Sequence, residues 1–455
     1  MNFKDILHNL PEVKAPVEKK LSFNVKLKWT LIILGAFFIL ANISLWGLRE
    51  NALARFEYIA ILLGTDFGSI ISLGIGPIVM ASIILQLLVG SKIINIDTST
   101  PEGKKFFQGV QKLLVFGFVI FEAVVYTVMG GTPANPGYEL IVITQLIVGG
   151  LLIVFMDEIC HKWGFGSGVS LFIAAGVGWR LITGLIGFIG ATNQIQAVGQ
   201  IPVLFVSLFG AVPDIAGAMN ALATILITII VFLTIVWAQS LKIEIPLSYD
   251  RLRGYNIKWP LAFFYASNIP VILTGAFVAN IQLIGGLFQN WLGHATWLGD
   301  FSNGQAVSGL GFWVGSTNLL GTIITGGFRQ IFLWQSLTHI LTFVVFSAIF
   351  SIFWVKTAGM DAGSQARNIM KSGLQIPGFR KDERILEAIL SRYVMPLTVM
   401  GGIAVGILAA VSDVTGTLTG GTSLLLGVMI IYQFYQNIAQ QHAMDMHPAM
   451  RKMMG

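Results

Sequence analysis

Ten apolar runs, each close to the length of a bilayer crossing, constrain this chain more than any other feature. A helix needs about twenty apolar residues to cross the hydrocarbon core. Such runs lie near 29–47, 73–90, 110–130, 139–158, 168–188, 219–239, 261–288, 333–355, 394–412 and 421–440. The chain could not cover a soluble surface. Only 11% of its residues are charged, against about 25% in soluble domains. The reading is an all-α, polytopic membrane protein with ten transmembrane helices.

Positive charge orients the spans. With the N-terminus in the cytosol, 24 of the 28 Lys and Arg residues fall on the cytosolic side, leaving Arg49, Arg55, Arg180 and Arg329 outside. Residues 1–28 carry six lysines and form a cytosolic N-terminal segment. Spans 1–5 make a first half over 29–190, and an external loop follows at 191–218. Spans 6–10 make a second half over 219–440. Its cytosolic loops are 241–260 and 356–393, and 441–455 is a cytosolic tail. Both termini are therefore expected in the cytosol. Five spans per half means that related halves insert upside down to each other. Gly74-Ile75-Gly76-Pro77 interrupts span 2, and Asn268-Ile269-Pro270 interrupts span 7. Matched interruptions point to a path at the interface of inverted repeats.

Enzyme chemistry is not in view. There is no phosphate-binding Gly-rich lysine motif and no zinc-protease motif, and the six histidines are scattered. Gly164-Phe165-Gly166-Ser167-Gly168 lacks the glycine a hydrolase elbow needs two residues before its serine, and reads as a flexible entry to span 5. The single cysteine, Cys160, excludes a disulfide framework or a Cys-rich metal site. No cofactor is implied. Glu122 is the one carboxylate read well inside a span; Asp157 and Glu158 fall at the end of span 4 with a solvated or lysine-paired role. One buried acid is thin support for an ion-coupled solute transporter with a midplane site, the alternative function. A passive, gated channel with an apolar path fits better. The basic loops suit anionic lipid or an acidic partner such as RNA.

Several stretches resemble the SecY family of protein-conducting channels. They are Leu73-Gly-Ile-Gly-Pro-Ile-Val79, Gln86-Leu-Leu-Val-Gly90, Phe107-Gln-Gly-Val-Gln-Lys112, Gly166-Ser-Gly-Val-Ser-Leu-Phe-Ile-Ala-Ala-Gly176, Ser267-Asn-Ile-Pro-Val-Ile-Leu273 and Gly378-Phe-Arg-Lys381. The resemblance implies two inverted five-helix halves around an hourglass pore that opens sideways to lipid between spans 2/3 and 7/8. It implies a pore ring of Ile75, Val79, Val169, Ile173, Ile272 and Leu426. A plug helix at about 55–67 would include Phe56, Glu57, Tyr58, Ile61 and Leu62. Glu122 and Asn280 would form a polar bridge at the sideways gate, where Met80 replaces a small polar residue common in relatives. Arg251, Arg253, Arg380 and Lys381 would dock a translating ribosome or another driving partner. SecE (gamma) and a beta subunit are the implied protein partners, with nascent polypeptide, signal sequence and membrane lipid as passing ones. The implied location is the cytoplasmic (plasma) membrane.

Overall fold

The computed structural model describes residues 10–18, 21–49, 67–91, 93–94, 96, 100–188, 198–210, 213–249, 256–302, 305–371, 374–375 and 382–446. The first five helices are α1 (Phe23–Ala41), α2 (Gly76–Gly90), α3 (Pro101–Val128), α4 (Glu139–Trp163) and α5 (Gly168–Ile186). A short helix α6 (Gln200–Phe209) leads to α7 (Ile215–Ser240). Strands β1 (Lys242–Tyr249) and β2 (Asn256–Ala262) precede α8 (Ile269–Leu292). Then come β3 (Asp300–Ser302), β4 (Gln305–Ser308), α9 (Gly309–Val314), α10 (Leu319–Ile324) and α11 (Gln330–Thr357). The chain closes with α12 (Ala362–Lys371), β5 (Leu374–Gln375), α13 (Glu383–Val414) and α14 (Gly421–Met446). Eight helical stretches among the described residues are long and apolar enough to cross a membrane. Helices α2 and α14 fill the two other expected span positions.

Side-chain caps explain several span starts. Thr100 accepts from Gly103 N at 3.1 Å ahead of Pro101. Asp214 accepts from Gly217 N at 3.0 Å, and Asp382 from Arg384 N at 2.9 Å. Each satisfies a donor that has no partner within its helix.

Several spans begin elsewhere than expected, α3 at Pro101 rather than near 110 and α13 at Glu383 rather than near 394 among them. Helix α1 starts at Phe23 rather than near 29, because lysines near a helix end extend their stems along apolar surface. Lys26 Nζ donates to Gln441 Oε1 at 2.7 Å, and Gln441 Nε2 donates to Leu21 O at 2.9 Å. The start of α1 thus lies beside the end of α14, as an even number of crossings requires. Helix α8 begins at Ile269, not 261, since 256–262 is drawn into a sheet.

The two proline motifs open helices rather than interrupt them. Pro77 and Pro270 sit in the first turns of α2 and α8, where proline's missing N–H costs nothing. Just upstream, Gly74 (φ +51°) and Ser267 (φ +58°) adopt the left-handed region. Ser267 is the one non-glycine residue with that geometry among those described.

The two expected cytosolic loops join in one sheet of order β2-β1-β5. Strand β1 pairs antiparallel with β2 from Lys242↔Ala262 to Ser248↔Asn256, and with β5 at Ser248↔Gln375 and Tyr249↔Leu374. Ile245 and Leu261 enter a separate small core with Leu386, Leu390 and Val394. Tyr265 hydroxyl donates to Met360 O at 2.7 Å; burial, reinforced by the Asp361 charge, pushes its pKa up to about 12. The expected external loop 191–218 contains the apolar α6, which packs on α7.

Candidate functional site

The six ring residues come from four helices. Ile75 caps α2 and Val79 lies in its first turn; Val169 and Ile173 open α5; Ile272 lies in the first turn of α8; Leu426 follows the start of α14. All belong to one continuous apolar cluster. Five are buried and Val169 is half-buried against them. None has a side-chain hydrogen-bonding group, and the Ile and Val members have stiff χ1 angles. A constriction lined by such side chains would shed water and give an ion no ligand to replace its hydration.

Beside this cluster, α2 and α3 face α8 and α11. Val119, Ala123 and Tyr126 of α3 share an apolar core with Ala279, Leu283 and Leu287 of α8. At the far end of α2 the approach is tighter. A Cβ on Gly90 would lie 2.5 Å from a ring carbon of Phe353 on α11. Among the described residues, no hydrogen bond crosses this seam.

Glu122 and Asn280 do not form the expected bridge. Asn280 Nδ2 donates to Ala276 O at 2.8 Å, one turn back in its own helix. Glu122 is buried, and its Oε2 finds no hydrogen-bond partner among the described residues. That oxygen lies 3.0 Å from where a Cβ on Gly76 would be, so the carboxyl covers the start of α2. Gln86 Oε1 on α2 is likewise buried without a partner. Met80, on the same helix, packs against the apolar cluster.

The two acids at the end of α4 separate. Glu158 is lysine-paired, with Lys112 at 3.0 Å and Lys162 at 2.9 Å. Asp157 instead accepts from Val169 N at 2.9 Å.

Sequence reasoning missed a polar group around α9. Its last four carbonyls are all satisfied by side chains of α8 and α11. Gln282 Nε2 donates to Gly311 O at 3.3 Å and Gln335 Nε2 to Phe312 O at 3.0 Å. Thr338 donates to Trp313 O at 2.8 Å, and His339 Nδ1 reaches Val314 O at 2.8 Å. A carbonyl only accepts, so Nδ1 carries the proton. The other nitrogen of His339 lies 3.4 Å from Asp413 Oδ2. In the sequence these residues sit inside or beside apolar runs, and only the fold gives them partners.

A chain with this architecture has close relatives. The SecY family pattern matches residues 69–435. A protein translocase subunit SecY of Methanothermobacter thermautotrophicus is 44% identical over all of this chain and 98% of its own length. The chain belongs to the SecY family. A solved protein-conducting channel superposes with a TM-score of 0.84 at 37% identity, covering 99% of both chains. The Sec61 chain of a canine ribosome-channel complex from the endoplasmic reticulum gives 0.81 at 36% identity, again over 99% of both. The SecY fold is a ten-helix, all-α membrane channel, so the solute-transporter alternative is set aside. Plug residues Phe56, Glu57, Tyr58, Ile61 and Leu62 lie outside the described residues, as do Arg251, Arg253, Arg380 and Lys381. The strands nearest those basic residues are nonetheless paired, through Tyr249↔Leu374.

Proposed function

We propose that this chain is the pore-forming subunit of a protein-conducting channel, moving secretory polypeptides across the membrane and releasing membrane segments sideways into lipid. The observation that carries the reading is that six aliphatic side chains from four helices share one continuous apolar core, in a chain similar end to end to translocase subunits. Ile75, Val79, Val169, Ile173, Ile272 and Leu426 are the waist. The segment at about 55–67 is the plug that makes a second seal. The seam between α2/α3 and α8/α11 is the sideways gate, with Glu122 and Asn280 on its two flanks. The subunit acts as a channel rather than a catalyst.

Both termini lie in the cytosol, a reading supported by the skewed Lys and Arg count and by the contact of Lys26 with Gln441. The membrane is the plasma membrane, and the complex includes SecE (gamma) and a beta subunit. The ribosome docks on Arg251, Arg253, Arg380 and Lys381. A ribosome-bound Sec61 relative supports that partner. The pairing of β1 with β5 supports a common surface for the two loops.

Resting ion conductance of the assembled complex in a planar bilayer tests the seal. Ile75→Ser with Val79→Asn should leak severalfold more than wild type, deletion of the plug should add to the leak, and Ile75→Leu should change little. A folded polar variant that stays tight would remove these residues from the seal. Ribosome binding should weaken steeply with salt, because each phosphate contact releases counterions. Arg253→Glu with Arg380→Glu should abolish most of it, and undiminished binding would rule out this docking surface.

A further inference from the structure

The last spans of the two halves begin alike. Helix α5 opens Gly168-Val-Ser-Leu-Phe-Ile173 and α14 opens Gly421-Thr-Ser-Leu-Leu-Leu426. Gly, Ser and the first Leu match, and the last position of each hexapeptide is a waist residue, Ile173 or Leu426. Both waist residues are fully buried.

An aspartate from the preceding span meets each opening at the same motif position. Near the end of α4, Asp157 Oδ1 accepts from Val169 N at 2.9 Å and from Ser167 Oγ at 3.4 Å. Near the end of α13, Asp413 Oδ1 accepts from Thr422 N at 2.9 Å, and its Oδ2 accepts from the Thr422 hydroxyl. Val169 and Thr422 are the second residues of the two hexapeptides. Each aspartate also faces a histidine: His161 Nε2 at 3.8 Å from Asp157, and His339 Nε2 at 3.4 Å from Asp413.

The glycines allow the approach. A Cβ on Gly168 would lie 2.6 Å from Asp157 Cα, and one on Gly421 would lie 2.0 Å from the Ser412 carbonyl carbon.

The two openings sit at opposite ends of the bundle. Helices α5 and α14 run antiparallel along each other: a Cβ on Gly166 would meet Phe434 at 3.6 Å, one on Gly427 would meet Val177 at 2.6 Å, and one on Gly184 would meet Leu418 at 3.2 Å. An upside-down duplication produces this arrangement.

We propose that Asp157 and Asp413 are equivalent positioning residues, one per half, that set the height and rotation of the last span and so hold Ile173 and Leu426 at the waist. This rests on the reading of those residues as the seal. The first turn of a helix leaves N–H groups unpaired, and the positive end of its dipole favours a carboxylate. A hydrogen bond tolerates only a few tenths of an ångström around about 2.9 Å, whereas one residue of helix rises about 1.5 Å. Slippage of either span by one residue would therefore break its cap. Apolar packing alone has no such register, because one aliphatic contact exchanges readily for another.

Resting conductance of the assembled complex, measured beside thermal stability, tests the inference. Asp157→Leu and Asp413→Leu remove the acceptor and should each leak severalfold more than wild type, with the double variant leaking most. Asp157→Asn and Asp413→Asn keep an acceptor oxygen and should stay near wild type even if the melting temperature falls. Assembled Leu variants as tight as wild type would overturn the proposal. If a Leu variant does not assemble, Thr422→Val removes one bond and leaves the carboxylate; a measurable leak supports the proposal and wild-type tightness overturns it. Ile75→Ser with Val79→Asn in the same experiment separates the two readings. Leak there with tight aspartate variants sinks only the positioning role, whereas tightness there sinks the waist.

Discussion

The two flanks of the proposed sideways gate treat their polar groups differently. On the second-half flank Asn280 bonds Ala276 O and the Thr274 hydroxyl lies 3.1 Å from that of Ser347, both within that half. On the first-half flank, Gln86 Oε1 and Glu122 Oε2 are buried without partners among the described residues. Among the described residues the seam is therefore held by packing rather than by hydrogen bonds across it. Parting it costs apolar contact and relieves two desolvated oxygens. Such a seam suits an apolar helix, which restores the contact as it enters.

The largest effect on this contrast should come from Gly90. Valine there would press on Phe353, and overpacking of this kind costs about 1–3 kcal/mol. The closed gate should lose stability, and a less apolar model segment should insert. The hydrophobicity threshold for insertion measures this; adding Phe353→Ala should restore the threshold, and an unchanged one in Gly90→Val would show that the seam does not govern release.

Glu122→Leu should act in the opposite direction and more weakly. It removes an unpartnered buried oxygen, whose desolvation costs about 1–3 kcal/mol, partly offset by the strain of fitting a branched side chain beside Gly76. The closed gate should tighten and the threshold should rise. A lowered threshold would mean that Glu122 has a partner in the closed state. Asn280→Leu should change the threshold least. Its bond stays inside α8, and polar bonds between membrane helices average only about 0.6 kcal/mol even when they do cross. A shift as large as that of Glu122→Leu would reveal a bond across the seam.

Thr100-Pro101 and Pro77 carry cap and proline signals, yet the apolar runs put those two span starts near 110 and 73, because hydropathy marks apolar length and not the first helical turn. A proline inside an apolar run reads as a break until the upstream turn is seen. Glu122 was legible as a buried acid, since any acid deep in a run is conspicuous. Its lack of a partner was not. Asp413 sits at the margin of an apolar run, where an acid is ordinarily solvated, so its bonds to Thr422 are visible only in the fold. The match of Gly168-Val-Ser-Leu with Gly421-Thr-Ser-Leu was present in the sequence, but four residues carry little weight until the fold shows the same aspartate bond at both.

The sequence by itself determined the number of spans and their class, along with the chemistry available to line a path. Those are properties of local apolar length and of side-chain type, which a residue carries wherever it lies. It also determined the charge skew that supports the orientation. Tertiary structure decided which aliphatic residues meet. Ile75, Ile173, Ile272 and Leu426 are chemically no different from dozens of lipid-facing neighbours, and only the packing of the helices buries them in one apolar core. Tertiary structure also joined the two basic loops through β1 and β5 and bonded Asn280 within its own helix. The reason is the same in each case. A span's length is encoded along the chain, but its rotation and height are fixed by bonds such as those of Asp157 and Asp413, which join residues of different helices.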